Sequence, residues 1–239
     1  MRSAALLPFL ALLASGEALA FPRTLFIGDS QSCETFGRAL DDRLREAARD
    51  QVVMRARWGS APHDWYEGQA RARFRDRDPG MIAARQGPQA LVPELRSLLD
   101  ETRPGLVIVE LGANLYWALD TNPDFIARTV DRMVADIRAS GAGCVWVGPA
   151  HTRARPRIAE VQALLVRAIR GRCLYFDSIP ITPYPSTGGD GLHFDSLGPD
   201  GSLIAENWAK KVFERVRNCV PQASRRLFRS PECAGLQTR

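Results

Sequence analysis

Only three histidines occur in the 239-residue chain, His63, His151 and His193, so imidazole chemistry has few candidates. His193 alone follows an aspartate three residues earlier, in Asp190-Gly191-Leu192-His193. That spacing lets a carboxylate and an imidazole project from one turn into the same cleft, where the acid fixes the ring tautomer and stabilises the imidazolium. The hydroxyl such a base would activate is Ser30, in Gly28-Asp29-Ser30, directly behind the apolar run Leu25-Phe26-Ile27. A serine hydroxyl is a poor nucleophile until a base takes its proton. Taken alone, Gly-Asp-Ser at a strand-to-helix turn also reads as a helix cap through Asp29 or Ser30; the Asp-x-x-His partner favours the nucleophile.

These residues need elements to position them. Residues 24–28 read as a short buried strand, and residues 32–48 as a helix with Phe36, Leu40, Leu44 and Ala47 on one face. Residues 51–58 alternate apolar and polar, which predicts a half-exposed edge strand. A long irregular stretch, rich in Arg, Gly and Pro, spans 59–88, followed by a helix over 91–101 and a buried strand over 105–112. Asn122-Pro123 supplies a cap and first-turn proline for a helix reaching about residue 139. Strands over 144–148 and 173–177 flank a helical face of Ile158, Val161, Leu164, Leu165, Ala168 and Ile169, and a last helix spans 203–216. Strand alternating with helix calls for a parallel sheet covered on both faces. The expectation is a three-layer α/β/α sandwich with a central five-stranded parallel sheet in the flavodoxin-like order 2-1-3-4-5. Sites in such sheets lie at the carboxyl ends of the strands, where Ser30, Gly59 and Asn114 fall and which the loop after the fifth strand also reaches.

Gly28-Asp29-Ser30, Gly59, Gly112-Ala113-Asn114 and Asp190 to His193, in this order, make the chain resemble the SGNH (GDSL-type) hydrolases. The resemblance covers roughly residues 24 to 216. It implies a Ser30-His193-Asp190 triad and an oxyanion hole formed by the backbone N–H of Ser30, the backbone N–H of Gly59 and the side-chain amide of Asn114. Gly68 or Gly80 would take the glycine role if the loop is organised differently. The chain departs from the family pattern after the asparagine, where many members carry Asp and Leu115 stands here.

Family members cleave esters, thioesters and sugar acetyl groups. The expected substrate is a small acyl ester or an acetylated glycan. Trp65, Tyr66, Tyr116 and Trp117 lie in loops after strand ends, where rings stack on sugars or simply pack; His63 accompanies the first pair and His151 stands at the rim. Arg71, Arg73, Arg75 and Arg77 would share one face if extended, as an anion-binding row or as a solvated stripe balanced by Asp76 and Asp78. An acyltransferase with the same triad and a non-catalytic glycan-binding module are the competing readings.

Residues 1–20 have the layout of a secretory signal peptide, with an apolar run from Ala4 to Leu13 and small residues ending at Ala20. Export to a periplasm or the cell exterior follows, with no stable membrane insertion after removal, residues 21–218 as one domain and 219–239 as a tail. Five cysteines suit that compartment: Cys144 and Cys173 open neighbouring strands, Cys219 and Cys233 would close a loop in the tail, and Cys33 is left over. No cysteine has metal-ligand spacing, so no metal or cofactor is implied. The net charge of +5 draws the protein to anionic surfaces, while nucleic acid lacks any recognisable motif.

Overall fold

Strand β5 (Leu106–Glu110) buries every side chain, with Val107 and Val109 on one face of the sheet and Leu106 and Ile108 on the other. Two separate apolar cores result, one per face, and the helices sort themselves between them. A computed structural model describes residues 21–48 and 51–223. The suggested leader (1–20) and Cys233 lie outside the described residues.

β1 (Thr24–Gly28) pairs in parallel with both β5 and β2 (Val52–Arg57); β5 continues to β6 (Gly143–Val147) and β6 to β7 (Leu174–Phe176), all parallel. Between β1 and β2 come a four-residue helix, α1 (Ser30–Cys33), and α2 (Thr35–Ala48), so the single helix expected over 32–48 is broken at Glu34. α2 buries Phe36, Leu40, Leu44 and Ala48 on one face of the sheet together with Trp208, Val212 and Val216 of α8 (Pro199–Ala223). The other face receives Leu95, Leu98 and Leu99 of α4 (Leu95–Thr102) and the apolar stripes of α6 (Pro123–Ala139) and α7 (Ile158–Ile169). Each fully buried Leu or Phe on these faces contributes about 1.5–3 kcal/mol. α6 begins as read from sequence: Asn122 Oδ1 accepts the Phe125 N–H at 3.1 Å and Pro123 takes the first turn.

The sheet itself is not the five-stranded parallel one expected. It has seven strands and is mixed, in the order β4-β3-β2-β1-β5-β6-β7, the five expected strands lying side by side within it. β2 is therefore interior. The stretch read as irregular holds α3 (Asp64–Glu67) and an antiparallel hairpin, β3 (Ala70–Arg77) with β4 (Arg85–Leu91), and β3 pairs with β2. The hairpin is largely exposed on both faces, so it carries no apolar alternation to betray it. Pro88 lies in β4, the edge strand, where a missing donor is tolerated.

Opposite Pro88, Arg73 adopts a left-handed φ of 58° and the ladder skips that pair. This break overturns the one-faced arginine row. Arg71 turns to Asp64 on the side of α3, whereas Arg75 donates to Cys33 O at 2.9 Å and Arg77 to Asp41 Oδ2 at 2.9 Å on the side of α2.

Cys144, at the start of β6, is disulfide-bonded to Cys173, just before β7. Cys33 is free, and Cys219 lies in α8. The bridge closes a loop with a sequence separation of 29. Removing it in a Cys144→Ala/Cys173→Ala double variant is expected to cost about 3–4 kcal/mol by the loop-entropy relation, read as a lower denaturant midpoint.

Candidate active site

Two loops 160 residues apart are laced together at the carboxyl end of β1. Gln31 Nε2 donates to Leu192 O at 2.8 Å, and the Thr35 N–H points at both carboxylate oxygens of Asp195, 3.3 and 3.2 Å away. Asp29, not Ser30, caps the short helix, because its Oδ1 accepts the Gln31 N–H at 3.0 Å. Ser30 Oγ is thereby left to face His193 Nε2 at 3.0 Å. On the far side of the ring, Nδ1 meets Asp190 Oδ2 at 2.6 Å. Ser30 and His193 are buried, while the Asp190 side chain keeps 47% of its exposure.

Asp190 is held where it must be. Its Oδ1 accepts the backbone N–H groups of His193 at 2.7 Å and Leu192 at 2.8 Å. Burial raises its pKa, but these bonds and the imidazole N–H outweigh that and keep the carboxyl below its usual range. Ser196 Oγ accepts the Asp190 N–H at 2.9 Å, and the Tyr184 hydroxyl accepts the Gly191 N–H at 3.0 Å.

The imidazole also has a platform. Trp58, the residue after β2, stacks on the His193 ring with centroids 4.4 Å apart and planes 28° apart, and the Arg73 guanidinium sits 4.9 Å from the indole centroid.

Gly59 follows at φ 76°, a left-handed conformation suited to glycine, and a Cβ there would meet nothing within 4 Å. It lines the cleft, unlike Gly68, which ends α3, and Gly80, which lies between β3 and β4. Asn114 stands in a 3₁₀ turn (Ala113–Leu115) after β5. Its Nδ2 donates to Ser60 O at 2.9 Å and lies 3.2 Å from Asp29 Oδ2, while Oδ1 accepts from Arg155 at 3.0 Å. The amide orientation is thus fixed from both ends.

Beneath Ser30 lies a pair of fully buried carboxyls, Asp29 and Glu110. Ser32 Oγ donates to Glu110 Oε2 at 2.8 Å, and the Asp29 N–H donates to Glu110 O at 3.2 Å. Burial first, and the Asp29 charge second, push the Glu110 carboxyl well above the usual carboxylate range. Gly28 leaves room for this packing, since a Cβ there would collide with Ser32 Oγ.

An open cleft of about 390 Å³ adjoins Gly59 and Asn114, with Tyr116, Trp117, His63 and Arg155 among its walls. Trp117 is 54% exposed at its rim. Phe125 supports both His63 (5.2 Å between centroids) and Trp117 (5.6 Å). Two expected wall residues are elsewhere. Trp65 is fully buried in the core, because α3 turns its indole onto the sheet, and Tyr66 packs beside that core under Arg132. His151 is exposed outside this cleft, with its Nδ1 3.4 Å from the Tyr184 N–H. Trp58, Arg155, Glu110, Tyr184 and Ser196 were not singled out from sequence; only the position of Trp58 beside Gly59 signalled it. Among the described residues no group of His, Cys, Asp and Glu is arranged to hold a metal, and no helix is long and apolar enough to cross a membrane.

A mixed sheet flanked by helices on both faces is an architecture this chain shares with solved esterase structures. Solved structures with this fold include the psychrotrophic esterase EstA from Pseudoalteromonas sp. (14% identity, 83% of this chain and 99% of that one, TM-score 0.53). A variant of Axe2, an acetyl xylan esterase from Geobacillus stearothermophilus, is similar at 15% identity over 80% of this chain and 94% of its own, TM-score 0.53. A peptidoglycan O-acetylesterase is similar at 14% identity over 84% and 92%, TM-score 0.51. At these identities the likeness establishes the fold. No protein-family model matches the chain, and no curated protein matches it in sequence.

Proposed function

We propose that the protein is an exported serine esterase that removes small acyl groups, O-acetyl above all, from carbohydrate. The observation that carries this reading is the continuous chain Ser30 Oγ–His193 Nε2 at 3.0 Å and His193 Nδ1–Asp190 Oδ2 at 2.6 Å. His193 takes the Ser30 proton as Oγ attacks the ester carbonyl, and Asp190 stabilises the imidazolium that forms. The N–H groups of Ser30 and Gly59 receive the oxyanion, and the Asn114 amide joins them by turning its longer bond, the one to Asp29 Oδ2 at 3.2 Å, onto the developing charge. The imidazolium then protonates the leaving sugar hydroxyl, and water activated by His193 releases the acid from the acyl-serine.

The cleft's volume and its mixed polar and aromatic lining suit an acetyl ester of a sugar, with the exposed Trp117 at its rim. The acetylated glycans named for two structural neighbours support the same substrate class. The disulfide and the leader-like first twenty residues support secretion or a periplasmic location.

Incubation with p-nitrophenyl acetate, with and without a glycan acceptor, tests the reading. Acceptor-independent nitrophenol release supports hydrolysis; release that requires the acceptor replaces it with acyl transfer; no release from either favours a binding module. Asn114→Ala is expected to lower kcat by about 10²–10³-fold with KM little changed, because the amide acts on charge that develops only in the transition state.

A further inference from the structure

The cleft beside the oxyanion hole is cationic, and its charge is not balanced from within. Arg71 and Arg155 both line it. Arg71 is neutralised by its ion pair with Asp64, a fully buried carboxylate whose second oxygen accepts the Ala61 N–H at 2.7 Å. Arg155 has no such partner. Its one side-chain hydrogen bond goes to the neutral Asn114 Oδ1, and among the described residues no carboxylate forms an ion pair with it. Of the other charged groups near it, Asp29 acts only at a distance, from beneath Asn114.

A half-buried guanidinium with unused donors on an open cleft is the complement of a group with several acceptor oxygens and a negative charge. Tyr116 and Trp117 on the same cleft present ring faces of the kind a sugar stacks on.

We propose that this cleft takes an acidic glycan, Arg155 binding the carboxylate of a uronate residue that bears or adjoins the scissile ester. The assignment rests on the esterase reading of the site and narrows its substrate class from carbohydrate in general to polyuronate. It gives Arg155 two tasks, holding the Asn114 amide through Oδ1 and recognising substrate through its remaining N–H groups.

Binding is measured by calorimetry with the Ser30→Ala protein, so that turnover does not enter, using trigalacturonate and neutral xylotriose as probes. Trigalacturonate is expected to bind about tenfold or more tightly than xylotriose, the range a charge-assisted hydrogen bond supplies. Raising the ionic strength from roughly 0.01 M to roughly 1 M should remove most of that preference. Adding Arg155→Gln should abolish it, and Arg155→Lys should retain part of it, with thermal unfolding confirming that each variant is folded. Equal affinity for the two probes, no binding of trigalacturonate, or a preference that survives Arg155→Gln overturns the proposal. If wild-type protein fails to release nitrophenol from p-nitrophenyl acetate while the uronate preference holds, the esterase reading falls and the acidic-glycan site stands.

Discussion

Ser30→Ala is expected to lower kcat on p-nitrophenyl acetate by about 10⁴–10⁶-fold, and His193→Ala by a similar factor. The two groups share one proton-transfer step across the 3.0 Å between Oγ and Nε2, so removing either abolishes the nucleophile. The double variant should therefore be scarcely worse than either single one, because effects of residues acting as a unit do not add. The remaining rate over water would come from the oxyanion donors and from binding. Ser30 opens α1 without serving as its cap, so the alanine protein should unfold at nearly the wild-type temperature. Stopped-flow or endpoint release of nitrophenol, set against thermal unfolding, decides the matter; activity within tenfold of wild type would remove Ser30 as nucleophile.

The second large effect is Asp190→Asn, expected to lower kcat by about 10³–10⁴-fold while leaving the loop in place. The carbonyl oxygen of the introduced amide can still accept the N–H groups of Leu192 and His193, which in the native protein bond Asp190 Oδ1 at 2.8 and 2.7 Å. The amide nitrogen that then faces His193 Nδ1 is a donor. It selects the tautomer with its proton on Nε2, which cannot receive the proton of Ser30. The pH profile separates this from a structural loss. Because Asp190 titrates below the usual carboxylate range, the wild-type acid limb should show no fall near the ordinary carboxylate pKa of about 3.9. The linked stability has a defined sign: it is present above the unfolded carboxylate value and is lost only as pH falls through the depressed folded one. A variant retaining a tenth or more of wild-type kcat would show that Asp190 does not set the tautomer.

What was legible in the sequence follows the physics of burial. Residues 24–28 and 106–110 are buried on both faces and read directly as central strands, and the cap at Asn122-Pro123 needed only local chemistry. The meeting of Ser30, His193 and Asp190 was legible because Asp190 and His193 are neighbours and strand order puts Ser30 at the same end of the sheet. The hairpin was not, because two-sided exposure and Pro88 erase the period-two signal on which strand assignment depends. Since β2 gains a partner in β3, Arg57 becomes 4% exposed, paired with Asp76 at 2.7 Å, although its sequence context gave no sign of burial. Trp65 was misplaced for the converse reason: an aromatic residue in a loop reads alike whether it faces a ligand or the core. Arg155 escaped notice since its partner, Asn114, is distant in sequence and reached only through the fold.

Where Arg73 departs from the strand's regular conformation opposite a proline, its guanidinium sits over Trp58, and the indole in turn stacks on the His193 imidazole. The appended hairpin is thereby joined to that ring by two contacts in series. Order in a solvent-facing ribbon bears on how steadily His193 is held, so the setting of this histidine extends across the width of the sheet, beyond the parallel strands.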